Sequence, residues 1–139
     1  MPGNIASNNG DEAKRSKHIQ MITKTFNFTA LEKNIEVVLC DTGRGISVTV
    51  AGGDSSHIGA VSIARPGEDV ITEVFPTHKE KVISEKWAMA ICQAAQVPTV
   101  VSCGIHYDGV DMDQIMQIVQ AADEALEQIL AIHFPGANA

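Results

Sequence analysis

The apolar residues of this chain keep two different periods, and the switch between them limits what it can fold into. From residue 21 to residue 75 they recur at every second position. Ile22, Phe26 and Phe28 share a parity that only Lys24 breaks. Ile35, Val37 and Leu39 alternate with Glu36, Val38 and Cys40, and Ile46, Val48 and Val50 alternate with Ser47 and Thr49. A strand sends successive side chains to opposite faces, so this period predicts strands with one core face and one wetter face. Two further strands are expected over 57–64 and 69–75, separated by the turn former Arg65-Pro66-Gly67-Glu68. Asp41-Thr42-Gly43-Arg44-Gly45 predicts a hairpin with a bulge between the second and third strands.

After Thr77 the period becomes 3.6. Thr77-x-x-Glu80 reads as a capping box, and Val82/Ile83, Trp87, Ala90/Ile91 and Ala94 form the stripe of a helix from about 78 to 95. The β-branched run 97–105 predicts a buried strand. Asp111-x-x-Gln114 is a second capping box. It opens a helix whose stripe (Met112, Ile115/Met116, Val119, Ala122, Leu126, Ile129/Leu130) runs to about 132. The order is βββββ-α-β-α. Short turns between the first five strands predict an antiparallel meander sheet, with two amphipathic helices packed on one face: an α+β domain. That domain is expected over 19–134. Residues 1–18 read as a disordered tail with little apolar surface to offset ordering entropy, and 135–139 as a short tail.

Composition removes several function classes. The chain has 139 residues and a formal net charge of -7, and no Lys or Arg follows Lys86. Nucleic-acid binding needs clustered cations, so it is not expected. Cys40, Cys92 and Cys103 cannot all pair and form no C-x-x-C, which fits a reducing, cytoplasmic setting. No apolar run has the ~18 residues of a membrane span, and the polar start shows no secretory signal. Asp41-Thr42-Gly43 matches a retroviral-type protease signature. A helix-rich second half argues for a simple turn instead.

Three segments carry candidate chemistry. Gly52-Gly53-Asp54-Ser55-Ser56-His57-Ile58-Gly59 lets backbone amides and hydroxyls approach a ligand, with Gly53, Ser55, Ser56, His57 and Gly59 as candidate contacts. It is not a Walker or dinucleotide fingerprint, and an ordinary strand connection is the bland alternative. His78-Lys79-Glu80-Lys81 opens a helix, where amides and cations favour an anion; His78 and Lys79 are candidates against a plain capped helix. His106 and Asp108 end the last strand two residues apart, where an Asp can orient a His. The alternative there is a simple strand–helix loop. No metal site is expected, because His57, His78 and His106 lack a local ligand spacing.

Together, Gly52-Gly53…His57-Ile58-Gly59, His78-Lys79-Glu80 and Gly104-Ile105-His106-x-Asp108 resemble the LpdD-like family over roughly residues 20 to 132. The chain departs from that pattern at Ser56 and at Gly109-Val110. The resemblance implies a prenylated-flavin chaperone domain accompanying UbiD-type hydroxyarylic acid decarboxylases and UbiX-type flavin prenyltransferases. It is also similar to the proteasome assembly chaperones, small α+β dimers. It therefore implies prenylated FMN (or FMN) as ligand, a homodimer, and an accessory role with no catalytic residues of its own. In that reading Lys79 and Lys81 meet the flavin phosphate, and His57, His78 and His106 contact the ring or ribityl chain. A protein-binding module without a small ligand is the second reading, using the acidic face of the last helix or a sheet edge. A His-based, metal-assisted enzyme is the third.

Overall fold

The computed structural model describes residues 20–75 and 80–136. The expected tail 1–18 and the residues Thr77, His78 and Lys79 lie outside the described residues. Six strands and two helices follow in the expected order: β1 (Ile22–Ala30), β2 (Lys33–Asp41), β3 (Ile46–Gly53), β4 (Ser55–Ala64), β5 (Ile71–Val74), α1 (Lys81–Ala95), β6 (Thr99–His106) and α2 (Met112–His133).

The sheet corrects one expectation. Its order is β1-β2-β3-β6-β4-β5, so it is mixed and not a purely antiparallel meander. β6 runs parallel to β3 and antiparallel to β4, and separates the two. The chain leaves β3 at Gly53, passes over the end of β6, and returns as β4 on its far side. Asp54 makes that crossing, donating its N–H to the His106 carbonyl at 2.7 Å. Gly53 is in the left-handed region (φ 84°), and a Cβ there would fall on the His106 carbonyl and the Tyr107 ring. This crossing is why two glycines stand where a plain connection would not need them.

β1 and β2 pair over nine residues through Leu31-Glu32, whose φ values of 49° and 64° describe a primed turn made without glycine. The Asp41 loop is a simple turn: Gly43 N–H donates to Asp41 Oδ1 at 2.8 Å, and Thr42 N–H to the Gly45 carbonyl at 2.9 Å.

Both helices cover the face of Ile35, Val37, Leu39, Val48, Val50 and Val101, all fully buried around Trp87 and Ile91. Inside that core, Ser62 shares hydrogen bonds with Ser84 of α1 (2.7 Å) and Thr72 of β5 (2.8 Å), so its buried hydroxyl is satisfied. Cys92 and Cys103 are buried, whereas Cys40 is half-buried; all three are free thiols. α2 begins with the expected box: Asp111 Oδ1 accepts from Gln114 N–H and Asp111 N–H donates to Gln114 Oε1. α1 opens after Glu80, its N-cap residue, and the other half of the expected Thr77-x-x-Glu80 box lies outside the described residues.

Candidate functional site

The parallel neighbours β3 and β6 end side by side, with Gly53 opposite His106. Ligands favour the carboxyl ends of parallel strands, where the chain turns away and leaves a crevice. Three local devices fill this end with polar side chains.

The first is a bulge in β4. Ser56 pairs with Ile105 and Ala60 with Cys103, so His57, Ile58 and Gly59 share the space opposite Gly104. A Cβ on Gly104 would land on the His57 carbonyl, and one on Gly59 would land in the Glu80 carboxylate. Both glycines admit close approach in a strand. The bulge brings His57 Nε2 to 2.7 Å from Glu80 Oε2, with the carboxylate largely out of solvent. Glu80 also lies near Cys103. Burial first, and that negative charge second, push the Cys103 thiol well up, so it stays protonated.

The second device is the end of β6. His106 Nε2–H donates to Asp108 Oδ1 at 2.8 Å, and the His57 and His106 rings meet edge to face at 6.1 Å between centroids. This pair is open, with side chains 47% and 81% exposed. The third is the loop clamp. Asp54 Oδ2 accepts from the Asp108 N–H at 2.8 Å, and Lys33 Nζ lies 3.4 Å from Asp54 Oδ1. The Asp108 amide first, and Lys33 after it, hold the Asp54 carboxyl below its usual value despite some desolvation. Tyr107 reaches across to donate its hydroxyl to the Ala30 carbonyl. Burial raises the Tyr107 phenol, and the Asp54 charge adds to it.

Beside these groups lies a cleft of about 380 Å³ between the starts of α1 and α2 and the end of β6. Ile83, Ile105, Ile115, Ile118 and Val119 give it apolar walls, with Glu80, His106 and Tyr107 at one end. That volume lies within the range of small-molecule sites, as does the mix of apolar walls with a few convergent polar groups.

Of the expected residues, the structure gathers Gly53, His57, Gly59, His106 and Asp108 at one end of the sheet. Ser55 and Ser56 are exposed at the start of β4. His78 and Lys79 lie outside the described residues. Sequence reasoning took Glu80 for a helix cap and passed over Asp54. The spacing Thr77-x-x-Glu80 hid the first, while Gly59 and Gly104, glycines inside strands, were the available signal. No group of three or more His, Cys, Asp or Glu side chains among the described residues is placed to hold a metal ion.

The family model of the prenylated flavin chaperone LpdD-like domain matches residues 29–133. The chain belongs to this LpdD-like family. The match takes in every strand from the end of β1 and both helices, and so the whole cleft. No curated protein matches the chain. Among solved structures, it is similar to a chain from the crystal structure of a novel chaperone complex for yeast 20S proteasome assembly. That likeness has a TM-score of 0.55 at 14% identity, and covers 78% of this chain and 94% of the other. At that identity the LpdD-like chain and the yeast protein share a fold. No described helix is long and apolar enough to cross a membrane.

The site's donor set fits a flavin. A flat, apolar ring suits walls of Ile105, Ile115, Ile118 and Val119, with Tyr107 beside it. His106 and Glu80 offer polar contacts at one end. Lys81, the first residue of α1, places a cation and the positive end of a helix beside Glu80, where an anion is favoured.

Proposed function

We propose that this LpdD-like chain is a non-catalytic chaperone that holds prenylated FMN, or FMN, for delivery to or maturation of a UbiD-type aromatic acid decarboxylase supplied by a UbiX-type prenyltransferase. The observation that carries the reading is the apolar cleft opening beside the two imidazole–carboxylate pairs, in a chain of this family. The ring packs on the aliphatic walls, which exclude water. His57 and His106, each held by a carboxylate, orient its polar edge. The phosphate is met by the α1 amides and Lys81, with Lys79 and His78 adjacent in sequence. The Ser55-Ser56 hydroxyls and the Gly53 and Gly59 backbone add contacts from β4 and the crossing. A bound flavin supplies the decarboxylase's electron sink. The chaperone's own residues bind, orient and shield it.

Native mass spectrometry of the untagged protein, alone and with FMN or prenylated FMN, tests this. A stoichiometric flavin adduct that Val119→Trp removes is the expected result. A bare mass with both flavins would sink it.

A second reading, a protein-binding module without a small ligand, is favoured by β1. It is a nine-residue edge strand with one lysine and no proline, a template for pairing with a second copy. Sedimentation would show a dimer that Thr25→Pro splits.

A further inference from the structure

The mouth of the cleft carries apolar side chains that no other described residue buries. Val82 in the first turn of α1 is 61% exposed, and Met112 and Met116 on successive turns of α2 are 69% and 64% exposed. Met112 and Val82 line the cleft, and Met116 borders the adjoining groove with Asp113 and Asp123. Residues four apart lie on one face of a helix, so Met112 and Met116 form one ridge. Methionine adapts to varied partner shapes and is enriched at interfaces.

The surroundings of this ridge carry an excess of negative charge, because Lys81, next to Val82, already lies 3.9 Å from Glu85. Asp108, Asp111, Asp113, Glu124 and Glu127 bear no salt bridge to Lys or Arg among the described residues, and Lys86 lies 3.0 Å from Asp123. Two copies meeting here about a two-fold axis would bring like charges together, which opposes a self-contact. A partner with an apolar knob ringed by lysine or arginine fits both features.

We infer that Val82, Met112 and Met116, inside the acidic rim of α2, are the docking surface for a basic, apolar-centred element of the protein that receives the ligand. The inference rests on the cleft reading above, and places the recipient at the opening through which the ligand leaves.

The test uses a fluorescein-labelled amphipathic peptide of leucine and lysine, and its leucine–glutamate counterpart, titrated by anisotropy. The Leu/Lys peptide binds, its affinity falls as salt rises, and the Leu/Glu peptide does not bind. Met112→Lys/Met116→Lys lowers the affinity about tenfold or more, roughly the ~1.4 kcal/mol of one affinity decade. Val82→Ser, a milder exposed change, lowers it less. Equal binding of both peptides, or unchanged affinity in both variants with native circular dichroism, would overturn the surface. So would a wild-type dimer that Met112→Lys/Met116→Lys dissolves in sedimentation, because the occupant would then be a second copy. Peptide is titrated without flavin and flavin without peptide. Peptide binding without a flavin adduct removes the cofactor reading alone, and an adduct without peptide binding removes the docking surface alone.

Discussion

The two ends of the sheet use the same pair of chemical groups in opposite ways. At the far end, His133 near the close of α2 donates Nε2–H to Asp41 Oδ2 at 2.9 Å, with side chains only 4% and 12% exposed. Phe134 packs edge-on against that imidazole at 4.5 Å between ring centroids. At the cleft end, His106 and Asp108 make a bond of similar length in open water. Burial makes the first a structural tie between helix and sheet. Exposure leaves the second little to stabilise and keeps it accessible to a ligand. The cleft end also holds two of the three left-handed non-glycine residues among the described residues, Leu31 and Glu32, while the third, Gln96, closes α1 at the far end.

Breaking the bulge gives the largest expected effect. Gly104→Ala puts a methyl on the His57 carbonyl, so the bulge must shift at a cost of about 3 kcal/mol or more in urea unfolding. The His57–Glu80 contact goes with it. The contrast between the ends is sharpened by two alanines. His133→Ala takes the imidazole partner from the part-buried Asp41 Oδ2 and is expected to cost about 2–3 kcal/mol without changing flavin affinity. His106→Ala costs about 0.5 kcal/mol or less and weakens the flavin adduct. Equal losses of stability at the two sites would erase the distinction.

Relief of strain at the cleft end is a smaller effect of opposite sign. Glu32→Gly removes a left-handed non-glycine residue and raises stability by about 0.5–1 kcal/mol in the same assay. The smallest effect is in the pH profile. The Asp54 carboxyl titrates lower in the folded than in the unfolded chain, so its contribution is present above the ordinary carboxylate value of ~3.9. It is lost as pH falls through the lower folded value. Asp54→Asn therefore lowers stability slightly at neutral pH, leaves it unchanged below the folded value, and so flattens the acid limb of the stability curve.

Local patterns were legible where local physics decides. Alternation in Ile35, Val37, Leu39 and Ile46, Val48, Val50 marked β2 and β3, and the Asp111–Gln114 box set the start of α2. The insertion of β6 between β3 and β4 was not legible. Short connections suggest sequential pairing, and only the long-range match of Val48 to Val101 and Ser62 to Val101 decides otherwise. The Leu31-Glu32 turn gave no composition signal, since its positive φ values are imposed by the nine-pair ladder beside it. At the site, His106 and Asp108 were readable from their spacing, and His57 from its glycines. Glu80 was masked because its helix-start position has a common structural explanation.

The place of β6 also has a consequence for biosynthesis. β3 and β4 emerge from the ribosome early, yet each keeps a bare edge until a strand made some fifty residues after β3 slides between them. Such non-local pairing is slow, and open edges recruit other chains. A message truncated before Thr99 yields a chain with two sticky halves and no cleft. The nascent protein thus needs shelter for much of its own translation.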